Sequence, residues 1–156
     1  MTAPTFRSLT ATTSGRIALV VAVFVGLGLC TMPLFGITGA ESALVLGVVL
    51  PGFVAAVCAR HAIRARETSR AVTAGTLLTE SLGVALVLVA VPVLILTLNS
   101  IRVRNCTPLE GLVFMGLGPV MGAWLAAWVA VAVALGVPRT RWAQPVAVLV
   151  PVITML

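Results

Sequence analysis

Charged side chains are confined to a few short intervals of this chain, and long apolar runs lie between them. Ile17–Ile37, Ser42–Ala59, Ser81–Leu98 and Gly111–Val137 carry no charged residue, and a fifth apolar run from Trp142 reaches Leu156. A helix needs roughly 20 residues to cross the hydrocarbon core of a bilayer, and each of the first four runs supplies about that many. Extended to the residues that close each helix, the predicted spans are about 17–37, 42–60, 75–98, 109–137 and 142–156. The expected fold class is all-α: an integral membrane helical bundle of four transmembrane helices plus a truncated or short fifth. Residues 1–16 read as a cytoplasmic N-terminal segment and 17–156 as a multi-pass transmembrane domain.

Composition supports the pattern. Hydrophobic residues make up 60% of the chain and charged residues 9%, against roughly 25% charged in a soluble domain. The net charge of +6 would suggest nucleic acid in a soluble protein. Here it follows from basic residues collecting in the loops on one side of a membrane, so no nucleic-acid partner is expected and the bilayer is. All ten basic residues are Arg, and Asp is absent. That bias points to a GC-rich, bacterial coding sequence.

The arginines also orient the chain. Arg7, Arg16, Arg60, Arg64, Arg66, Arg70, Arg139 and Arg141 fall on the N-terminal side of alternating spans, and Arg102 and Arg104 on the other. The positive-inside bias then places the N-terminus in the cytoplasm and the protein in the inner (plasma) membrane. Trp142 beside Arg141 reads as an interfacial anchor. A cleavable signal peptide is the competing reading of the first run, with Thr38-Gly39-Ala40 as a small-residue site. The run is longer than the roughly 7–15 residues of a signal core, which favours a retained helix. The fifth run covers about 22 Å of a core roughly 30 Å thick and lacks a polar close. The expectation drawn from this is a fragment, the N-terminal part of a larger membrane protein.

Two helix starts carry the Thr-x-x-Glu capping box, Thr38–Glu41 and Thr107–Glu110, with Pro108 at the first helical position of the second. Each of the first four spans contains a proline (Pro33, Pro51, Pro92 and Pro119), so bends are expected. In the fourth span Gly118, Gly122, Ala126, Ala130 and Ala134 recur every four residues. Such a ridge lets another helix approach closely and reads as a packing seam, within the bundle or toward a homo-oligomer or partner membrane protein. Trp124 and Trp128 project from roughly the opposite face, either lining a pocket or partner surface or packing against bundle and lipid.

Reactive chemistry is sparse. With one His (His61), no Asp and no Tyr, neither a Ser–His–Asp triad nor a metal site with conventional spacing can be assembled. No catalytic residue, metal or cofactor is expected in this segment. Cys106 faces the oxidising side under the proposed topology and reads either as one half of a disulfide to a partner or as an inert thiol. Glu80 lies near the cytoplasmic end of the third span. It is read either as an ion pair with Arg64, Arg70 or Arg16, or as an intramembrane coupling acid. The loop Arg60–Arg70, with Arg60, Arg64, Arg66 and Arg70, is positioned to contact anionic lipid, each Arg adding about 1 kcal/mol near the surface. The expected function is a membrane anchor or assembly module. The alternative is a small transporter or permease component that uses Glu80.

Overall fold

The computed structural model describes residues 12–32, 35, 38–68, 73–102 and 108–136; the fifth apolar run, with Trp142, lies outside them. Helix α1 spans Thr13–Thr31, α2 Ala40–Thr68 and α3 Ala74–Arg102. A fourth stretch joins α4 (Pro108–Met115), a π-helical turn (Gly116–Val120) and α5 (Met121–Gly136). Every regular element among the described residues is helical. Thr13–Thr31, Ala40–Arg66, Ala74–Arg102 and Leu109–Gly136 are long and apolar enough to cross a membrane. Their outward faces carry large apolar side chains, Phe24, Leu44, Leu94 and Leu125 among the most exposed. A soluble protein rarely shows apolar surface on this scale, whereas lipid solvates it. The chain is an all-α, multi-pass membrane bundle.

The helix ends differ from the apolar runs in ways that have local causes. α1 begins at Thr13, inside the segment expected to precede the membrane, because Thr12 caps it: Thr12 Oγ1 accepts from Gly15 N–H at 3.2 Å. It ends at Thr31, six residues before the apolar run does. Met32 is extended (φ −94°, ψ 126°), as steric pressure from a following proline demands, so Pro33 follows α1 and does not bend it. α2 does not stop at the first arginine. Arg60, Ala62, Arg64 and Ala65 are good helix formers, and the helix runs on to Thr68. At 29 residues it is about 43 Å long, against a hydrocarbon core of roughly 30 Å. Most of the expected Arg60–Arg70 loop is therefore the end of a helix projecting into the headgroup layer.

The start of α2 corrects the capping box. Gly39, not Thr38, is the N-cap: its carbonyl accepts from Ala43 N–H at 3.0 Å. Ser42 takes the place given to Glu41, its Oγ accepting from Gly39 N–H at 3.1 Å. Thr38 is buried against Gly111 of α4, where a β-carbon would sit 2.7 Å from Thr38 C and closer still to its oxygen. Glu41 stays exposed in the first turn, where a negative charge favours the helix dipole. At the start of α4 Pro108 is the first helical residue; Thr107 lies outside the described residues.

The helices alternate in direction, and α3 packs on α1, α2 and α5. α1 presents Gly15, Ala18, Ala22, Gly26 and Leu29 inward, a stripe at spacings of three and four residues that lies against α3. α2 makes its most extensive contact with α5. Pro51, Pro92 and Pro119 all point into the bundle, fully buried. α2 and α3 stay α-helical through theirs, but Pro119 sits in the π turn. A proline lacks the N–H for an α-helical bond and collides with the carbonyl four residues back. A wider turn relieves both, and Met121 N–H then reaches back five residues to Gly116 O.

Candidate functional site

The start of α1, the end of α2, the start of α3 and the end of α5 meet at one end of the bundle, and this end holds the described basic cluster. On α2, Val57, Arg60, His61 and Arg64 follow one another at helical spacing and so share a face. Opposite them stand Thr12, Ser14 and Gly15 from the first turn of α1, with Val84 of α3 closing the floor. Together they enclose a cleft of ≈ 30 Å³. Gly15, buried and without a side chain, leaves room for it.

His61, expected in a loop, lies within α2. It connects this cleft to α3, its Nε2 standing 3.9 Å from Glu80 Oε2, with side chains 25% and 57% exposed. Glu80, expected to pair with Arg64, Arg70 or Arg16, has His61 beside it on α2; Arg70 lies outside the described residues. α3 starts at Ala74, so Glu80 is less than two turns from its end, shallower than mid-membrane. Deeper by one position, Ser81 is buried, and its carbonyl accepts from Cys58 Sγ at 3.5 Å. Two buried polar side-chain atoms lack a hydrogen-bond partner among the described residues, His61 Nδ1 and Ser81 Oγ. Both belong to this end.

Arg66 is engaged elsewhere. One of its guanidinium nitrogens donates to Ala134 O in the last turn of α5, one of the carbonyls that a helix end leaves without an intrahelical partner. Arg60 and Arg64 are exposed at the cleft; Arg70 and Cys106 lie outside the described residues.

The small-residue ridge of the fourth span is interrupted by the π turn within its first interval. Gly122, Ala126, Ala130 and Ala134 are buried in α5, while Gly118 is half-buried. The buried face is also broader than the ridge, taking in Ala123, Ala127 and Val131. Gly118 faces α2: a β-carbon added to it would lie 3.4 Å from Ala43 O, and one added to Gly47 would lie 3.7 Å from Gly118 C. The backbones approach closely there because neither glycine carries a side chain. Trp124 and Trp128 are 41% and 53% exposed, turned outward from α5 and away from the cleft.

Thr12, Ser14 and the orphaned Ser81 hydroxyl were not singled out from sequence. The α1 stripe Gly15, Ala18, Ala22, Gly26 was legible by the same spacing rule that marked the fourth span. The cleft was not, because nothing in a single segment says which helix end it will meet. Among the described residues no three His, Cys, Asp or Glu side chains come together as a metal site would require. Comparison with family models, curated proteins and solved structures found no match, so the chemistry of this end rests on its own geometry.

Proposed function

We propose that the chain is a multi-pass membrane anchor or assembly module of the bacterial inner (plasma) membrane, with its Arg-rich end toward the cytoplasm. One observation carries the reading. The charged side chains described lie near helix ends, and the length between them is filled by close-packed Ala, Gly, Val, Leu and buried proline. Toward the far end of α3 two hydroxyls turn back on their own helix: Thr97 Oγ1 donates to Val93 O at 2.7 Å and Ser100 Oγ to Thr97 O at 2.7 Å. A transporter gathers polar groups near the bilayer midplane, and the interior here offers a packed seam instead. Glu80, which the transporter alternative needs as its coupling acid, is more than half exposed and faces His61 at the Arg-rich end.

Liposomes with a pH-sensitive dye inside test the two readings. Protein reconstituted into them leaves the decay of an imposed proton gradient unchanged, and a soluble reporter fused ahead of Met1 remains in carbonate-washed membranes. A proton leak abolished by Glu80→Gln would replace the anchor reading with the transporter.

A further inference from the structure

The buried prolines of α2, α3 and the fourth stretch gather around one level of the bundle. A β-carbon added to Gly47 of α2 would lie 3.8 Å from Pro119 N, so these two residues are neighbours. The thiol of Cys58 on α2 meets the carbonyl of Ser81 on α3. Eleven residues back from Cys58 is Gly47, and eleven on from Ser81 is Pro92, so in antiparallel helices those two are level as well. Gly26 of α1 docks on Pro92 at the same height. Pro51 stands about one turn further along α2, and the carbonyl it deprives of an intrahelical partner, four residues back, is that of Gly47 itself.

Three of the four spans therefore have an interrupted hydrogen-bond ladder around one level, and in the fourth stretch the interruption widens into the π turn Gly116–Val120. Sharp helix bends concentrate at prolines and π turns, where the ladder no longer resists bending. The contacts that cross this level are smooth, because Gly26 and Gly47 meet neighbouring backbone with no side chain to interlock. On the Arg-rich side, polar links tie α2 to its neighbours: Cys58 Sγ to Ser81 O of α3, and Arg66 to Ala134 O of α5. On the far side, α4 rests on Thr38 through Gly111, which couples it to the start of α2. We propose that this level is a hinge, about which the first turns of α2, the last turns of α3 and α4 tilt as a cap on an Arg-rich half that stays fixed. The hinge goes beyond the anchor reading and stands whether or not the bundle holds a partner. It lets the far end reorient while the Arg-rich end keeps its place in the headgroup layer.

The test is a pair of spin-label distances in the full chain in nanodiscs. Cys30→Ser and Cys106→Ser remove two thiols, and Cys58, fully buried, stays unlabelled. Labels at Leu98→Cys and Leu112→Cys report from α3 to α4 on the far side of the prolines. Labels at Leu86→Cys and Leu125→Cys report from α3 to α5 on the Arg-rich side, and all four positions are exposed. A tilt of about 20°, acting over the roughly six or seven residues between proline and label, moves each far label by about 3 Å. The Leu98–Leu112 distribution is thus expected to be broader than the Leu86–Leu125 distribution by that amount or more. Pro119→Ala, which restores a backbone donor to the fourth stretch, narrows the far pair and leaves the other pair as it was. Gly47→Ala gives a second reading if the proline variant does not fold: its β-carbon fits at 3.7 Å from Gly118 C and interlocks the two backbones, which also narrows the far pair. Equal widths for the two pairs in the otherwise unaltered chain overturn the hinge. So does a far-pair width unchanged in Pro119→Ala, or in Gly47→Ala where Pro119→Ala does not fold.

Discussion

Gly26 of α1 lies directly against Pro92 of α3: a β-carbon at position 26 would come within 3.1 Å of Pro92 Cα and 2.9 Å of Ile95 Cδ1. The contact pairs a residue with no side chain with the backbone of a buried proline, and it is the fourth of the five positions in the α1 stripe. Gly28, two residues on, faces open space. Gly26→Leu is expected to destabilise the bundle by about 1–3 kcal/mol, the usual cost of overpacking, and Gly28→Leu to cost far less. Unfolding in mixed micelles of rising SDS fraction measures both, and equal effects would mean that α1 does not dock through Gly26.

Gly111 makes a second backbone approach of this kind, to Thr38. Here the obstructing atoms are main chain and cannot swing aside. Gly111→Ala should lower the unfolding temperature in detergent, whereas Gly116→Ala, with open space around it, should leave it unchanged or raise it. The reverse order would show that the junction before α2 does not rest on α4.

Arg66 joins the end of α2 to the end of α5 through Ala134 O. The side chain is exposed, so a modest loss is expected from Arg66→Gln, about 1 kcal/mol. Arg66→Lys should recover part of it, because the charge stays while the fork geometry goes. SDS-titration unfolding of the three proteins checks this, and an unchanged Arg66→Gln midpoint would remove the bond from the account.

Glu80 and His61 stand 3.9 Å apart with the carboxylate more than half exposed. Exposed pairs of this kind are worth about 0–1 kcal/mol. A double-mutant cycle of Glu80→Gln and His61→Gln is expected to give a coupling energy in that range. A markedly larger value would point to a buried, functional acid and revive the transporter reading.

Trp124 and Trp128 face outward from α5, so lipid should reach them. In a Trp142→Phe background, which leaves these two as the protein's tryptophans, their fluorescence should be quenched by lipids brominated along the acyl chain. Soluble iodide should have little effect. Quenching by iodide without quenching by brominated lipid would place this face in water.

Much of the architecture is written in the chain one segment at a time. The apolar runs, at bilayer length, specify helices because unpaired backbone groups are too costly in lipid. The small residues of the fourth span and of α1 mark faces for close approach. Where the structure departs from the pattern of apolar runs, a local rule is overridden. Arg60 marks where hydrocarbon ends, but a helix of Arg and Ala continues to Thr68 because nothing breaks it. Pro33 ends α1 through its effect on Met32, where an apolar run alone suggests continuation. Thr38 is buried against Gly111, and Gly39 stands at the N-cap position with Ser42 Oγ accepting from its N–H.

By itself, then, the sequence determined that this is a helical membrane protein, how many spans the described residues contain, and which faces are small enough to pack. Those properties depend on segment length, hydropathy and periodicity, which neighbouring residues set. Tertiary structure alone decided that Gly26 meets Pro92, that Glu80 faces His61, and that Thr12 and Ser14 close a cleft with Arg60 and Arg64. Helix pairing, rotation and depth arise from packing between segments far apart in the chain, and a one-residue widening such as the π turn at Pro119 shifts the register of everything beyond it.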